Sequence, residues 1–440
     1  MSLPDQRPIL LVGFSIAWLN YIGAPQSEAH ALVIEEPDVA RKRDAQTRLA
    51  ARGLNRLIVS EYQLPGAARR FHAAYAHLHP AAVLPCVEYA VPFAARLAEL
   101  YGVAGAGSRA AAILRDKWLL RQATARHGVT NPRSEQAGGS LDVLRFMLEQ
   151  GGPVVLKPAN RQGSVGTRVL FDPAEVGAAW DECITQDEGV NVPDREIPLR
   201  MLVEQYISGD EFSVEMLVRD GVPLFSNVTQ KRLFPGQRPI EMGHAVPAGI
   251  SGAQCDLLVT STRRVLSAVG FGSGYVHCEW IVSGGVPVLV ECAGRMPGDG
   301  IVDLIDYAWG TNMTSLFVDV MRGADIRQSV PSAPRAGAAV WFLRVPAGEV
   351  RSVEGLEACR AAPGVLSADV VVKPGDRTHD LRSSWDRVGF VRTGAPTTED
   401  VLRLASDAAA LIHVDVEPLA TAARPARRAS VSTRKDKDIS

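Results

Sequence analysis

Residues 151–171 read Gly151-Gly-Pro-Val-Val-Leu-Lys157-Pro-Ala-Asn-Arg-Gln-Gly163-Ser164-Val-Gly166-Thr-Arg-Val-Leu-Phe171. An apolar strand pattern ends in Lys157, a glycine-containing loop follows, and the chain returns as a second strand. Glycines let backbone N–H groups approach a polyphosphate closely, and a lysine adds positive charge for phosphate oxygens. In a P-loop the lysine follows the glycines and a helix begins. The segment therefore predicts phosphates held under a β-hairpin flap; the alternative is an ordinary hairpin with a surface lysine.

The composition is that of an ordinary globular protein. The chain has 440 residues, 46% of them hydrophobic and 22% charged, and a formal net charge of −2. This length predicts about three domains, and the charge favours neither nucleic acid nor a membrane surface. Six cysteines without a C-x-x-C pair indicate reduced thiols. With no secretory signal pattern and no apolar run near ~18 residues, we expect a soluble cytoplasmic protein.

Four regions follow from the strand and helix patterns. Strands alternate with helices in residues 1–115, which predicts an α/β domain with a doubly wound parallel sheet; without G-x-G-x-x-G, no dinucleotide is assigned to it. Residues 116–330 contain the flap, and residues 331–417 form an α+β unit. Residues 418–440 are small and basic and predict a disordered tail.

Two finer predictions concern local structure within these regions. Alanine, isoleucine, leucine and tryptophan recur at helical spacing over residues 108–127, which predicts one helix that ends before Gly128. Residues 181–198 are acidic and contain few large apolar side chains, which predicts a mobile insertion.

A second nucleotide-like segment is Val203-Glu204-Gln205-Tyr206-Ile207-Ser-Gly209-Asp-Glu211. The end of a strand at Glu204 and Tyr206 can present backbone groups to an adenine edge, while Ile207 packs on the ring. Glu211 follows a Gly-Asp turn, and its two oxygens could accept both hydroxyls of a ribose. The alternative is a strand–turn–strand unit with exposed acids.

Glu279 and Glu291 flank a predicted hairpin that turns at Ser283-Gly284-Gly285. If the loop has an odd length, cross-strand partners share parity, and both carboxylates project from one face. Two carboxylates beside phosphates suit Mg²⁺, which prefers hard oxygen ligands. The alternative is the polar outer face of a β-ribbon.

These segments resemble the ATP-grasp superfamily of ligases over roughly residues 80–415. The resemblance implies an ATP-grasp fold, with residues 1–115 as the preceding domain and residues 331–417 as a lid. It implies ATP and Mg²⁺ or Mn²⁺ as cofactors, with Glu279 and Glu291 as the metal ligands. The nucleotide contacts it implies are Lys117, Lys157, Gly163, Ser164, Gly166, Glu204, Tyr206, Ile207 and Glu211.

One position departs from the commonest family pattern. Many members have E-x-N-x-R where this chain has Glu291-Cys-Ala293-Gly-Arg295, and the asparagine supplies a further metal contact. Ala293 implies a weaker or more phosphate-dependent second metal site, or impaired activity. Some ligases of free L-amino acids also have alanine here. Arg295 keeps its spacing and could clamp the transferred phosphoryl group and a carboxylate.

The resemblance narrows at Glu241-Met-Gly-His244-Ala-Val-Pro247, which is similar to carboxylate–amine ligases of the L-amino-acid (dipeptide) ligase and carnosine-synthase type. It implies that Glu241 binds an ammonium group and that His244 binds a carboxylate or the acyl phosphate. Lys231, in the segment before this motif, joins Arg295, Glu241 and His244 as a catalytic candidate. Further candidates are weaker: Asp299 facing the acceptor pocket, Glu88 contacting an amine, and His277 as a structural residue.

The resemblance implies an ADP-forming ligase that joins the carboxylate of an amino acid or similar acid to an amine through an acyl phosphate. Its partners would be ATP and small amino-acid or amine substrates, and a homodimer is the default assembly. The alternatives are another ATP-grasp ligase of the purine or carboxylase type, an ATP-binding protein without turnover, and a kinase that stops at phosphoryl transfer.

Overall fold

The computed structural model describes residues 7–15, 18, 31–54, 56–186 and 188–418. A four-stranded parallel sheet with the order β3-β2-β1-β4 lies near the N-terminus. Its strands are β1 (Ile9–Val12), β2 (Ala31–Glu35), β3 (Leu57–Val59) and β4 (Ala82–Pro85). The α-helices of this region are Pro37–Lys42, Ala45–Ala50, Ala67–Tyr75 and Val91–Tyr101, with 3₁₀ turns at Ala76–Leu78 and Glu88–Ala90.

Helices cover both faces of this sheet. Ile9 and Leu11 pack in one core with Ala45 and Leu49, whereas Leu10 and Val12 face the core that contains the helix Ala67–Tyr75. Because both faces are covered, the strands are apolar at every position except Glu35 at the end of β2, as parallel strands usually are. The predicted doubly wound parallel sheet is therefore confirmed.

The prediction of a single helix over residues 108–127 is wrong, because the chain forms two helices, Ser108–Leu114 and Lys117–Ala125. Asp116 lies between them in an extended conformation, and its carboxylate accepts the backbone N–H groups of Trp118 and Leu119. This N-cap starts the second helix at Lys117.

The flap belongs to a second sheet of four strands with the order β5-β8-β6-β7. Its strands are β5 (Ser134–Ala137), β6 (Val154–Pro158), β7 (Arg168–Leu170) and β8 (Met201–Gln205). β6 pairs antiparallel with β7, so the lysine at the end of β6 precedes a hairpin as predicted. The helices Ser140–Gln150 and Val176–Thr185 share a hydrophobic core with this sheet.

A third sheet of eight antiparallel strands has the order β13-β12-β9-β10-β11-β14-β18-β16. The first five strands in chain order are β9 (Asp210–Arg219), β10 (Val222–Leu233), β11 (Glu241–Val246), β12 (Gly274–Ser283) and β13 (Val286–Ala293). The C-terminal region adds β14 (Gly337–Leu343), β16 (Val365–Val370) and β18 (Gly389–Ala395). The pairing of β11 with β14 makes the C-terminal region continuous with the middle of the molecule.

The remaining elements surround these sheets. The helices Gly252–Val269, Ile301–Trp309 and Met313–Met321 precede the C-terminal region, which adds the helices Leu356–Ala361 and Thr398–Ala409. A small sheet there consists of β15 (Gly348–Glu354), β17 (Arg377–Thr378) and β19 (His413–Glu417). Within the described ranges, no helix has the length and apolar composition needed to cross a membrane.

The acidic stretch 181–198 is anchored rather than a free insertion, so that prediction is wrong. Its first residues finish the helix Val176–Thr185, and Arg195 makes two bonds of 2.7 and 2.8 Å to the buried Glu36 of the N-terminal region. The hydroxyl of Tyr89 donates to Glu188 at 2.5 Å. The predicted tail, 418–440, lies outside the described residues except for Pro418.

Candidate active site

A cavity of about 460 Å³ lies between the flap and the eight-stranded sheet. It is lined by fourteen of the fifteen residues predicted as nucleotide-binding, metal-binding or catalytic, all except Gly166: Lys117, Lys157, Gly163, Ser164, Glu204, Tyr206, Ile207, Glu211, Lys231, Glu241, His244, Glu279, Glu291 and Arg295.

The prediction that Gly166 contacts the nucleotide is not supported by its position. Its backbone N–H donates to the side chain of Gln186 at 2.6 Å, and a Cβ at this residue would lie 2.8 Å from the carbonyl oxygen of Cys183. Its φ of +69° also favours glycine. Gly166 therefore serves the packing of the flap against the helix Val176–Thr185.

Gly163 and Ser164, the other two predicted residues of the flap loop, line the cavity and are held in place by neighbouring segments. Ser164 has a φ of +58°, and its hydroxyl donates to the carbonyl of Pro239 at 2.9 Å. The ring of Trp385 lies over Gly163, where a Cβ would come within 3.2 Å of its indole nitrogen. The loop is thus fixed from two sides, by the segment after β10 and by the C-terminal region.

Glu204 on β8 is the centre of a buried charge cluster. Its carboxylate lies 3.0 Å from Nε of Arg121 and 2.6 Å from Nζ of Lys157. Burial opposes its ionisation, but the two cations lower the pKa of Glu204 to about 2. Because the carboxylate is fully engaged, only the backbone of Glu204 is available for an adenine edge, beside Tyr206 and Ile207.

The hairpin of β12 and β13 pairs Glu279 directly with Glu291, although not for the predicted reason. The turn contains only Gly284 and Gly285, and such an even-length loop pairs residues of opposite parity. A β-bulge at Val290 then shifts the register by one residue, and the two glutamates become partners. Both carboxylates consequently line the same cavity.

Lys231 on β10 lies among three carboxylates. Its Nζ is 3.3 Å from Glu211 and 3.4 Å from Glu241, and it forms a short ion pair with Glu279. The three acids keep the pKa of Lys231 well above its usual value despite burial. Burial, with the nearby acids Glu279 and Glu241, raises the pKa of Glu211 to about 7.

His277, which the sequence predicted to be structural, lies between two carboxylates. Its ring lies 2.9 Å from the buried Glu215 through Nδ1 and 3.1 Å from Glu279 through Nε2. Burial lowers its pKa, but hydrogen bonds to these two carboxylates outweigh burial and raise the pKa to about 9. A charged imidazole therefore contacts the same Oε1 atom of Glu279 as Lys231 does.

Arg295 is oriented by a residue of the N-terminal region. Its Nε donates to Glu88 at 2.6 Å, and its Nη1 donates to the carbonyl of Met296 at 2.7 Å. The predicted amine contact of Glu88 is therefore replaced by an ion pair with the arginine. Ala293 is buried on β13 and contributes no polar atom.

The C-terminal region contributes side chains that the sequence did not identify as site residues. Ser384, Trp385 and Arg387 all line the cavity. The hydroxyl of Ser384 donates to Glu241 at 3.2 Å, and Arg387 forms a two-pronged ion pair with Asp299. Only the general resemblance to a lid pointed to this segment, because its partners are far away in the sequence.

Glu279 and Glu291 are the candidate metal ligands in the cavity. No group of three histidine, cysteine or acidic side chains suited to a metal occurs in the described part of the chain. Glu279 and Glu291 nevertheless offer two facing hard-oxygen donors, and Mg²⁺ commonly binds through one or two carboxylates plus substrate phosphates. The residues therefore fit a magnesium ion whose remaining ligands come from the nucleotide.

Comparison with protein families identifies two parts of the chain. An ATP-grasp domain model matches residues 150–303, and a model of the L-amino acid ligase C-terminal domain 2 matches residues 341–417. A solved L-amino acid ligase from Bacillus licheniformis shares the fold, with a TM-score of 0.74 at 17% identity, and covers 94% of this chain and 100% of that one.

Curated relatives are similar over part of their length. Dapdiamide A synthase of Enterobacter agglomerans is 27% identical over 61% of this chain and 65% of that protein. Alanine–anticapsin ligase of Bacillus subtilis (strain 168) is 24% identical over 52% and 51%. D-alanine–D-alanine ligase of Pseudomonas putida (strain GB-1) is 27% identical over 38% and 50%. The chain spans about half to two thirds of these relatives, and it contains an ATP-grasp domain over residues 150–303 and an L-amino acid ligase C-terminal domain over residues 341–417.

Proposed function

We propose that this chain is an ADP-forming ligase that joins the carboxylate of an amino acid or similar acid to an amine. A second amino acid is the amine that we propose first. The observation that carries the proposal is the direct pairing of Glu279 with Glu291 in one cavity with the flap and Arg295. The similarity to dapdiamide A synthase and alanine–anticapsin ligase supports an amine as the second substrate.

In the proposed reaction, an oxygen of the acid attacks the γ-phosphorus of ATP, and ADP leaves with the electrons of the broken P–O bond. The amine nitrogen then attacks the carbonyl carbon of the acyl phosphate, the C–O bond to phosphate breaks as the amide forms, and inorganic phosphate leaves with the proton that the nitrogen loses. Mg²⁺, when bound by Glu279 and Glu291, would neutralise phosphate charge. Lys117, Lys157 and Lys231 add fixed positive charge around the same cavity.

Arg295 is proposed to stabilise the phosphoryl group in transfer and then the oxyanion of the tetrahedral intermediate. A planar guanidinium that Glu88 already orients needs little reorganisation when negative charge develops. The lid and the flap meet at Gly163 and Trp385, which supports exclusion of water from the acyl phosphate.

The experiment is a matrix of paired L-amino acids and related amines with Mg·ATP, in which ADP release is measured and every positive well is analysed by mass spectrometry. A product mass equal to both substrates minus water supports the ligase and identifies its substrates. ADP without a condensed product supports the kinase alternative. ATP binding without ADP release in any well supports a binding protein, with Ala293 as its cause.

Two further properties stay predictions: a cytoplasmic location and a homodimer. Cell fractionation tests the first, and light scattering of the purified chain tests the second. Neither property enters the reaction proposed above.

A further inference from the structure

Arg387 connects the C-terminal region to the wall of the cavity. Its Nη2 lies 2.5 Å from Oδ1 of Asp299, and its Nη1 lies 2.9 Å from Oδ2. The guanidinium also stacks on the ring of Phe342, 3.7 Å from the ring centroid. This two-pronged geometry fixes the plane of the Asp299 carboxylate, since both of its oxygens are engaged.

Asp299 in turn holds His244. Its Oδ2 lies 3.1 Å from Nε2 of the imidazole, so one carboxylate bridges the arginine and the histidine. The ring of His244 also meets the edge of Phe342, with centroids 5.9 Å apart. The histidine is therefore fixed by a chain of contacts that begins in the C-terminal region.

The backbone at Asp299 does not favour this arrangement by itself. Asp299 has a φ of +57°, a conformation that costs energy for a residue other than glycine. It lies between Gly298 and Gly300, where the chain has considerable freedom. The partners of its side chain, rather than local preference, must keep the carboxylate in place.

The bond to Asp299 also decides where the proton of a neutral His244 resides. An ionised carboxylate only accepts hydrogen bonds, so Nε2 must carry the proton and Nδ1 must keep a lone pair. Nδ1 is buried and has no hydrogen-bond partner among the described residues. His244 also lines the cavity, and a buried acceptor without a partner calls for an N–H donor.

On the basis of the proposed function, we propose that Arg387 and Asp299 are positioning residues that hold His244 so that Nδ1 accepts a hydrogen bond from the amino group of the amine substrate. This role replaces the contact of His244 with a carboxylate or the acyl phosphate that the resemblance implied. The amine site is then complete only when the segment 384–387 is seated. The same segment reaches the flap, because the backbone N–H of Ser384 donates to the carbonyl of Gly163 at 3.2 Å.

The kinetic test compares Asp299→Asn, Arg387→Met, Arg387→Lys and the double variant Asp299→Asn/Arg387→Met with the wild type. Asp299→Asn and Arg387→Met should each raise the KM for the amine by about tenfold or more, while the KM for ATP stays within about twofold. The KM for the amine should be no higher in the double variant than in the poorer single variant, because both substitutions break the same chain of contacts to His244. Independent, multiplying effects or an unchanged amine KM would overturn the proposal.

A second arginine–aspartate pair provides a matched control. Nη1 of Arg392 lies 2.8 Å from Asp303, and this pair also joins the C-terminal region to the helix after the Asp299 loop. Neither residue lines the cavity. Arg392→Met and Asp303→Asn should therefore leave the KM for the amine unchanged; an equal rise in these variants would mean that the effect is only structural.

A measurement without turnover separates this inference from the proposed function. The ¹⁵N spectrum of the histidine side chains, with His244→Gln used to assign the signal, reports which ring nitrogen carries the proton. We expect protonated Nε2 in the wild type and a loss of that preference in Asp299→Asn and Arg387→Met. If no amide forms with any amine, the proposed function fails, but this spectrum still decides the positioning. Protonated Nδ1 in the wild type, or identical spectra in all variants, would overturn it.

Discussion

At the scale of single residues, the cavity depends on charged side chains whose partners lie in other regions. Glu88 is almost completely buried, and its two nearest cations are Arg295 at 2.6 Å and Arg115 at 3.8 Å. Burial raises the pKa of Glu88, but the two arginines outweigh burial and lower it. Glu88 therefore orients Arg295, and the buried negative charge of Glu88 is in turn stabilised by Arg295.

Arg295→Ala should lower kcat by about 10²–10³, as the loss of other oxyanion donors does. It should also lower the free energy of unfolding by about 3 kcal/mol, because Glu88 loses the nearer partner of a buried ion pair. Adding Glu88→Gln should restore much of the stability but none of the activity. Steady-state kinetics and urea unfolding measure the two effects, and a near-normal kcat in Arg295→Ala would exclude the assigned role.

His277 predicts a pH dependence of stability in metal-free protein. Its pKa is about 9 in the fold against a reference of 6.5, so its contribution is complete below pH 6.5 and disappears as the pH rises through 9. A shift of this size corresponds to about 3 kcal/mol. Urea unfolding of wild type and His277→Asn should give a difference that shrinks between pH 6.5 and 9.5. A difference that stays constant over this range would contradict the prediction.

At the scale of secondary-structure elements, one cap places a lysine in the cavity. Asp116 begins the helix Lys117–Ala125, and Nζ of Lys117 then reaches both the carbonyl of Arg161 in the flap, at 3.0 Å, and Glu291, at 2.8 Å. Lys117, at the start of one short helix, thus connects the flap to the hairpin of β12 and β13.

Asp116→Ala should cost about 1 kcal/mol of stability through loss of the N-cap and should raise the KM for ATP by displacing Lys117. Asp116→Asn is the matched control, because asparagine caps helices as well as aspartate does. Both variants lose the ion pair to the half-exposed Arg200, which contributes little. Thermal unfolding and ATP kinetics should separate the two variants; equal behaviour would show that the cap does not place Lys117.

The sequence predicted those parts of the site that lie within short segments. The flap, the segment 203–211 and the hairpin of β12 and β13 each place their side chains through local strand geometry. Fourteen of the fifteen predicted residues line the cavity. The bulge at Val290 could not be predicted, because alternation assumes an unbroken register. The pairs Glu88–Arg295 and Asp299–Arg387 depend on how distant regions pack, which no local pattern encodes.

At the scale of the whole molecule, the cavity joins regions that are distant in the chain. Lys117 lies on the helix Lys117–Ala125, and Glu204 lies on β8 of the flap sheet. Glu279 and Glu291 lie on the eight-stranded sheet, and Arg387 belongs to the C-terminal region. A ligand that contacts all of these groups binds only when they are assembled. Ligand binding should therefore stabilise the assembled molecule rather than one element.

Mg·ATP at a hundred times its Kd should raise the free energy of unfolding by about 2.7 kcal/mol. Glu279→Gln and Glu291→Gln should lose the magnesium-dependent part of this increase, because each removes one of the two facing carboxylates. Thermal unfolding with ATP alone, MgCl₂ alone and both together, at constant ionic strength, measures this part, with the exposed Asp303→Asn as the control. If Glu291→Gln responds to Mg·ATP as the wild type does, the metal is held elsewhere and the assignment of the hairpin is wrong.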